Sequence, residues 1–195
     1  MISALSFSGE QNFAPLVDKC GAYIVHALST KDGDLGRLAC SLVSDLCTGI
    51  ESEIEKYAAD FLVHIVKIIQ QPDFDKETKI AAIQAVGDLS MYSTQAHTNN
   101  LESILQTALE AGAYSVSESA SNLNDEEDRK YFFNLRKGVM ECLTAVVAGI
   151  SDCKMSKILD SKLDPLLEFL NNYFGNSGFN SNFVSISFLT YRRRT

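Results

Sequence analysis

The side chains most able to do chemistry in this chain are its three histidines and five cysteines. His26, His64 and His97 fall on three different segments, with no His pair at i, i+4 and no HExxH. That spacing does not build a zinc site on one helix face. Cys20, Cys40, Cys47, Cys142 and Cys153 form no CxxC, so neither a zinc knuckle nor a dithiol redox motif is indicated. A nucleophilic cysteine would need a histidine and an orienting acid delivered by the fold. Four of the five cysteines sit instead in apolar patterns, where the free thiol is a small hydrophobe. Gly33-Asp34-Leu35-Gly36 and Gly175-Asn176-Ser177-Gly178 read as turns, because neither has the GxxxxGK[ST] form that cradles phosphate. No catalytic residue, metal ligand or cofactor-binding residue is expected, and the chain reads as a non-enzyme.

The carboxylates are more informative. Glu51, Glu53 and Glu55 crowd the start of one segment, and Asp60 follows on its polar face. Asp125, Glu126, Glu127 and Asp128 make a dense acidic run. Asp160, Asp164 and Glu168 recur at i, i+4, i+8, which on a single helix is one acidic ridge. These are the candidate partner-binding residues, suited to a basic helix whose approach weakens as salt rises. Ser115, Ser117, Ser119 and Ser121 would add negative charge if phosphorylated.

Helices must position these groups. The chain has 195 residues, 46% of them hydrophobic, and only three prolines to interrupt a helix. That apolar content excludes disorder as the general state. The formal charge is −8, and removing the three arginines of residues 175–195 leaves −11 on residues 1–174. An acidic body argues against general nucleic-acid binding. The unpaired cysteines and the absence of a signal-peptide pattern lead to an expected cytosolic or nuclear location.

Apolar residues recur at helical spacing over about 11–28, 34–48, 53–70, 76–92, 98–112, 129–149 and 156–174. Residues 53–70 are the clearest, with Ala58, Phe61, Leu62, Ile65, Ile68 and Ile69 on one stripe, and Pro72 ends them. Asp75 caps the next helix. Residues 115–128, rich in Ser, Asn and acid, read as a loop. No segment of 1–174 alternates with the period of a strand, so the fold class is all-α.

Leu42-Val43-Ser44-Asp45-Leu46-Cys47 overlays Ala85-Val86-Gly87-Asp88-Leu89-Ser90 at a shift of 43 residues. At the same shift Phe61 falls on Ile104 and Leu62 on Leu105. A looser third copy places Gly49-Ile50 on Gly149-Ile150 at a shift of 100. A helix pair at this period indicates a HEAT or armadillo array, an α-solenoid with a right-handed superhelix. Asp45 and Asp88 then read as structural repeat aspartates late in the first helix of each pair. Residues 1–174 are expected to form about four helix pairs, the first incomplete, with an acidic linker at 115–128. Residues 175–195 form a non-repeat tail.

Residues 38–47, Lys79 to Ser90, 101–108, and the stretch from Asn134-Leu135-Arg136 to Gly149-Ile150 together resemble the carboxy-terminal HEAT repeats of the importin-β family of nuclear transport receptors. The order of repeat, repeat, acidic linker and long helix carries the resemblance over roughly 1–174. It implies non-catalytic binding of the basic importin-β-binding segment of importin-α, or of basic cargo, in protein import into the nucleus. It implies FG-repeat nucleoporins in apolar grooves between first helices, and residence in cytoplasm, nucleus and nuclear pore. Contact with the small GTPase Ran is expected to be weakened, because the family's amino-terminal repeats have no counterpart here. The competing expectation is a HEAT scaffold for another assembly, such as a phosphatase or kinase complex.

Overall fold

A computed structural model describes residues 14–121, 125–149 and 153–175. Helix α1 spans Ala14–Ser29 and α2 spans Gly33–Ile50. A 3-10 turn at Glu51–Ile54 leads into α3, Glu55–Gln70. Then come α4 (Lys76–Tyr92), α5 (Thr94–Ser121), α6 (Glu126–Ala148), α7 (Cys153–Ser161) and α8 (Leu163–Gly175). The described residues contain no strand, and the all-α expectation holds. The tail at 175–195 lies outside the described residues beyond Gly175.

The 43-residue repeat is physical. Asp32 caps α2 by accepting from the Leu35 amide at 3.1 Å, and Asp75 caps α4 by accepting from the Thr78 amide at 2.8 Å. These aspartates are one repeat apart, as are the buried pairs Ala39 and Ala82, Val43 and Val86, Leu46 and Leu89, and Leu62 and Leu105. Helices α2, α4 and α6 stack side by side in one layer. Helices α1, α3, α5 and α8 follow one another in a second layer against it. One apolar core runs between the layers, from Val17 and Leu28 through Phe61 and Leu105 to Val146 and Leu170. Such a stack has no closed core, since each pair packs only on its neighbours.

Close contact between first-layer helices needs small residues. A Cβ added at Gly87 would lie 3.1 Å from the Cα of Cys142, so α4 and α6 meet backbone to backbone there. The neighbouring aspartates are half-buried. Ser44 of α2 lies beside the Asp88 carboxylate of α4, where α2 and α4 meet.

Three expectations are corrected. The loop expected at 115–128 is helical through Ser121, and α6 begins at Glu126. Ser115 is buried, its hydroxyl donating to the Gly112 carbonyl at 2.7 Å, and Tyr114 meets Phe132 edge-on. Packing against α6 thus overrides the weak helix propensity of serine, and Ser115 is no accessible phosphorylation site. The single helix expected at 156–174 is two helices. Pro165 has no N–H to donate to the Ser161 carbonyl, and the turn closes with Lys162 N donating to Leu159 O at 3.0 Å. Finally, the apolar pattern expected over 34–48 does not bury all its members, and Leu38 is the exception. It is 59% exposed, while Ala39, Cys40, Val43, Leu46 and Cys47 are buried.

Candidate partner-binding surface

The acidic candidates are divided between the two layers. Asp60 is exposed on α3. Glu53, on the 3-10 turn, is half-buried and paired with Lys56 Nζ at 2.7 Å, so much of its charge is answered locally. Asp125 caps α6, accepting from the Glu127 amide at 2.9 Å. Glu126 and Glu127 are exposed in the first turn, where acids complement the helix dipole. Asp128 pairs with Lys76 of α4, whose ammonium also lies 5.2 Å from the centre of the Tyr131 ring. The run at 125–128 is therefore partly structural.

Asp160 lies in the last turn of α7, whereas Asp164 and Glu168 lie one turn apart on α8. All three are exposed, but the break at Lys162 divides the expected ridge. Lys162 itself reaches back to α5, donating to Gln106 Oε1 at 3.0 Å and lying 4.0 Å from Glu102 Oε1.

The structure adds acids absent from the sequence reading. Glu102 and Glu110 are exposed on α5, two turns apart, between α3 and α8 in the same layer. Their i, i+8 spacing was a legible signal, hidden by the polar surroundings of that helix. Asp60, Glu102, Glu110, Asp164 and Glu168 thus lie on three successive helices of one layer. Asp45 and Asp88 belong to the other layer. Burial, chiefly, pushes the Asp88 carboxyl above the usual carboxylate range, helped by the charges of Asp45 and Glu141.

The thiols and imidazoles are placed as structural groups. Burial raises the thiol pKa of Cys40 and Cys142 to about 12, and that of Cys47 further, with the Asp88 charge adding to burial at Cys47 and Cys142. A protonated thiol is neither nucleophile nor metal ligand. His64 Nδ1 lies 3.0 Å from the Ser29 hydroxyl, a contact between α3 and α1. His97 is buried against Gly149, with Nδ1 donating to the Ser90 carbonyl at 2.9 Å. Among the described residues no three His, Cys, Asp or Glu side chains group to hold a metal ion, and no helix is long and apolar enough to cross a membrane.

Two stacked layers of paired helices at a 43-residue period are the architecture of a HEAT solenoid. Residues 1–187 match the family described as importin subunit beta-1-like, TPR repeats. The chain belongs to the importin subunit beta-1-like family. It is 20% identical over 177 residues to importin subunit beta-1 of Arabidopsis thaliana, covering 89% of this chain and 20% of that protein. To importin subunit beta-1 of Saccharomyces cerevisiae it is 22% identical over 151 residues, covering 77% of this chain and 17% of that protein. Its fold superposes with a TM-score of 0.70 on a solved chain from the complex of Kap95p with RanGDP in nuclear import complex assembly. That match is 20% identical and covers 86% of this chain and 19% of the other. The chain spans about a fifth of the length of these importin-β relatives.

Proposed function

We propose that this chain is a nuclear-transport-receptor module that binds, without catalysis, a basic helical segment of the kind importin-α or a basic cargo carries. The observation behind this reading is the run of exposed acids on α3, α5 and α8, three helices adjacent in one layer. A basic helix lying across them would meet Asp60, then Glu102 and Glu110, then Asp164 and Glu168. Family membership supports a transport role. The RanGDP named for the structural relative supports Ran as a second partner, and FG-repeat nucleoporins are a third. The work of such a module lies between cytoplasm and nucleus.

A fluorescent lysine- and arginine-rich helical peptide, titrated in about 50 mM and about 300 mM salt, tests the reading. Binding is expected at low salt and should weaken at high salt. A variant carrying Glu102→Gln, Glu110→Gln, Asp164→Asn and Glu168→Gln should lose it. No binding at low salt would sink the acidic-surface reading and leave the scaffold alternative.

A further inference from the structure

A cavity of about 220 Å³ lies between α3, α4, α5 and α6, in the interior of the array. Helices α1 and α2 pack on one side of this group and α8 on the other. Both layers line the cavity, with Lys79 and Ile83 of α4 and Leu135 of α6 from one, and Glu110, Ala111 and Tyr114 of α5 from the other, among others. The gap follows from helix length. Helix α3 stops at Gln70, ahead of Pro72, while α5, its equivalent one repeat on, continues to Ser121. Helix α3 therefore has no turn to lay beside Tyr114.

The preceding junction shows what fits there. Phe74, 8% exposed, lies 3.5 Å from where a Cβ on Gly36 of α2 would be, and Gly36 stands one repeat before Lys79. The cavity thus borders the position that an aromatic ring occupies one repeat earlier. Between Tyr114 and Tyr131 the sequence holds no aromatic residue to repeat that plug. The volume is below the roughly 300–1,000 Å³ of small-molecule sites, and suits a single side chain. Lys79 is half-buried and makes no ion pair among the described residues. Its ammonium disfavours a cation in the cavity and Glu110 disfavours an anion, which leaves a neutral occupant. Ile83, Leu135 and the ring of Tyr114 favour an aromatic one. Glu110 is also one of the exposed acids of α5, so the cavity adjoins the surface offered to a basic helix.

We propose that this cavity anchors one aromatic side chain of the basic helical segment bound by the acids of α3, α5 and α8, and the inference rests on that acidic-surface reading. The acids draw the helix in and set its salt dependence. The ring fixes the helix's register on the array and adds an apolar contribution that salt does not screen.

The probes are fluorescent lysine- and arginine-rich helical peptides, one with alanine at its neutral positions and others with phenylalanine at each of four successive positions. Each is titrated into the whole chain. One phenylalanine form should bind at least tenfold tighter than the alanine form, and that ratio should hold between about 50 and 300 mM salt. Ala111→Leu, which fills the cavity, should bring the ratio to about one. Helicity by circular dichroism shows that this variant is folded, and Tyr114→Ser serves in its place if it is not. A ratio of one for every phenylalanine form, or a ratio that survives in the Ala111 or Tyr114 variant, would overturn the proposal. So would equal binding by an uncharged phenylalanine peptide, because the cavity would then serve a partner other than the basic helix. Absence of binding by the alanine form at low salt would instead overturn the acidic-surface reading, and this proposal with it.

Discussion

The hydroxyl of Thr78 donates to the carbonyl oxygen of Gly33 across 2.8 Å, joining the first turns of α4 and α2 over 45 residues of sequence. Thr78 Oγ1 also lies 2.8 Å from Asp75 Oδ2, within the cap of α4. Thr78 is completely buried, so water cannot replace either partner. Thr78→Val should therefore destabilise the chain by about 1–2 kcal/mol. Thr78→Ser keeps the donor and should recover most of that loss, both measured by urea unfolding.

Gly149 occupies a site with no room for a side chain. A Cβ there would lie 2.5 Å from His97 Nδ1 and 2.7 Å from the Ser90 carbonyl oxygen, the second being backbone that cannot swing away. Its φ of −77° is ordinary, so the obstacle is steric and not torsional. Gly149→Ala should cost about 1–3 kcal/mol, read as a lower urea midpoint.

The buried imidazole of His97 makes stability depend on pH. Burial holds its pKa below the ordinary value of about 6.5, against a smaller opposing effect of the Ser90 carbonyl. The native chain keeps the ring neutral where the unfolded chain takes a proton. This contribution is fully present above pH about 6.5 and is lost as pH falls through the folded value. Urea midpoints at pH 7.5, 6.5 and 5.5 should fall on acidification. His97→Asn should flatten that slope, and an undiminished slope in the variant would refute the assignment.

Glu51 is a non-glycine residue in left-handed backbone, with φ 44° and ψ −121° at the end of α2. A side chain rarely adopts this conformation without cost, and Glu51 is exposed. Glu51→Gly should raise stability by about 1 kcal/mol, whereas Glu51→Val should lower it.

Thiol reactivity should follow burial. Cys40, Cys47 and Cys142 are buried with raised pKa, and Cys20 is half-buried at the α1–α2 groove. In a Cys153→Ser background at pH 8, Cys20 should label with a maleimide first, with the other three reacting only on unfolding. Mass spectrometry of the labelled chain reads the order.

Helix content and the repeat were legible in the amino-acid sequence, because each rests on local periodicity, and the family was legible through the resemblance of residues 38–47, 79–90 and 101–108 to its repeats. The 3.6-residue spacing of Ala58 to Ile68 marks a helix whatever packs on it. The 43-residue echo of Asp32 in Asp75, and of Leu46 in Leu89, survives because both copies solve the same capping and packing problem. Tertiary structure decided the rest. Serine propensity at 115–121 indicated a loop, and contact with α6 made it helix. The acids of Asp60, Glu102 and Asp164 are about 40 to 60 residues apart in the chain, and only stacking in one layer makes them a surface. Leu38 and Ala81 hold equivalent places in the repeat, yet one is exposed and the other buried. Periodicity tells which edge of a helix is apolar, but burial depends on whether a neighbour lies across that edge.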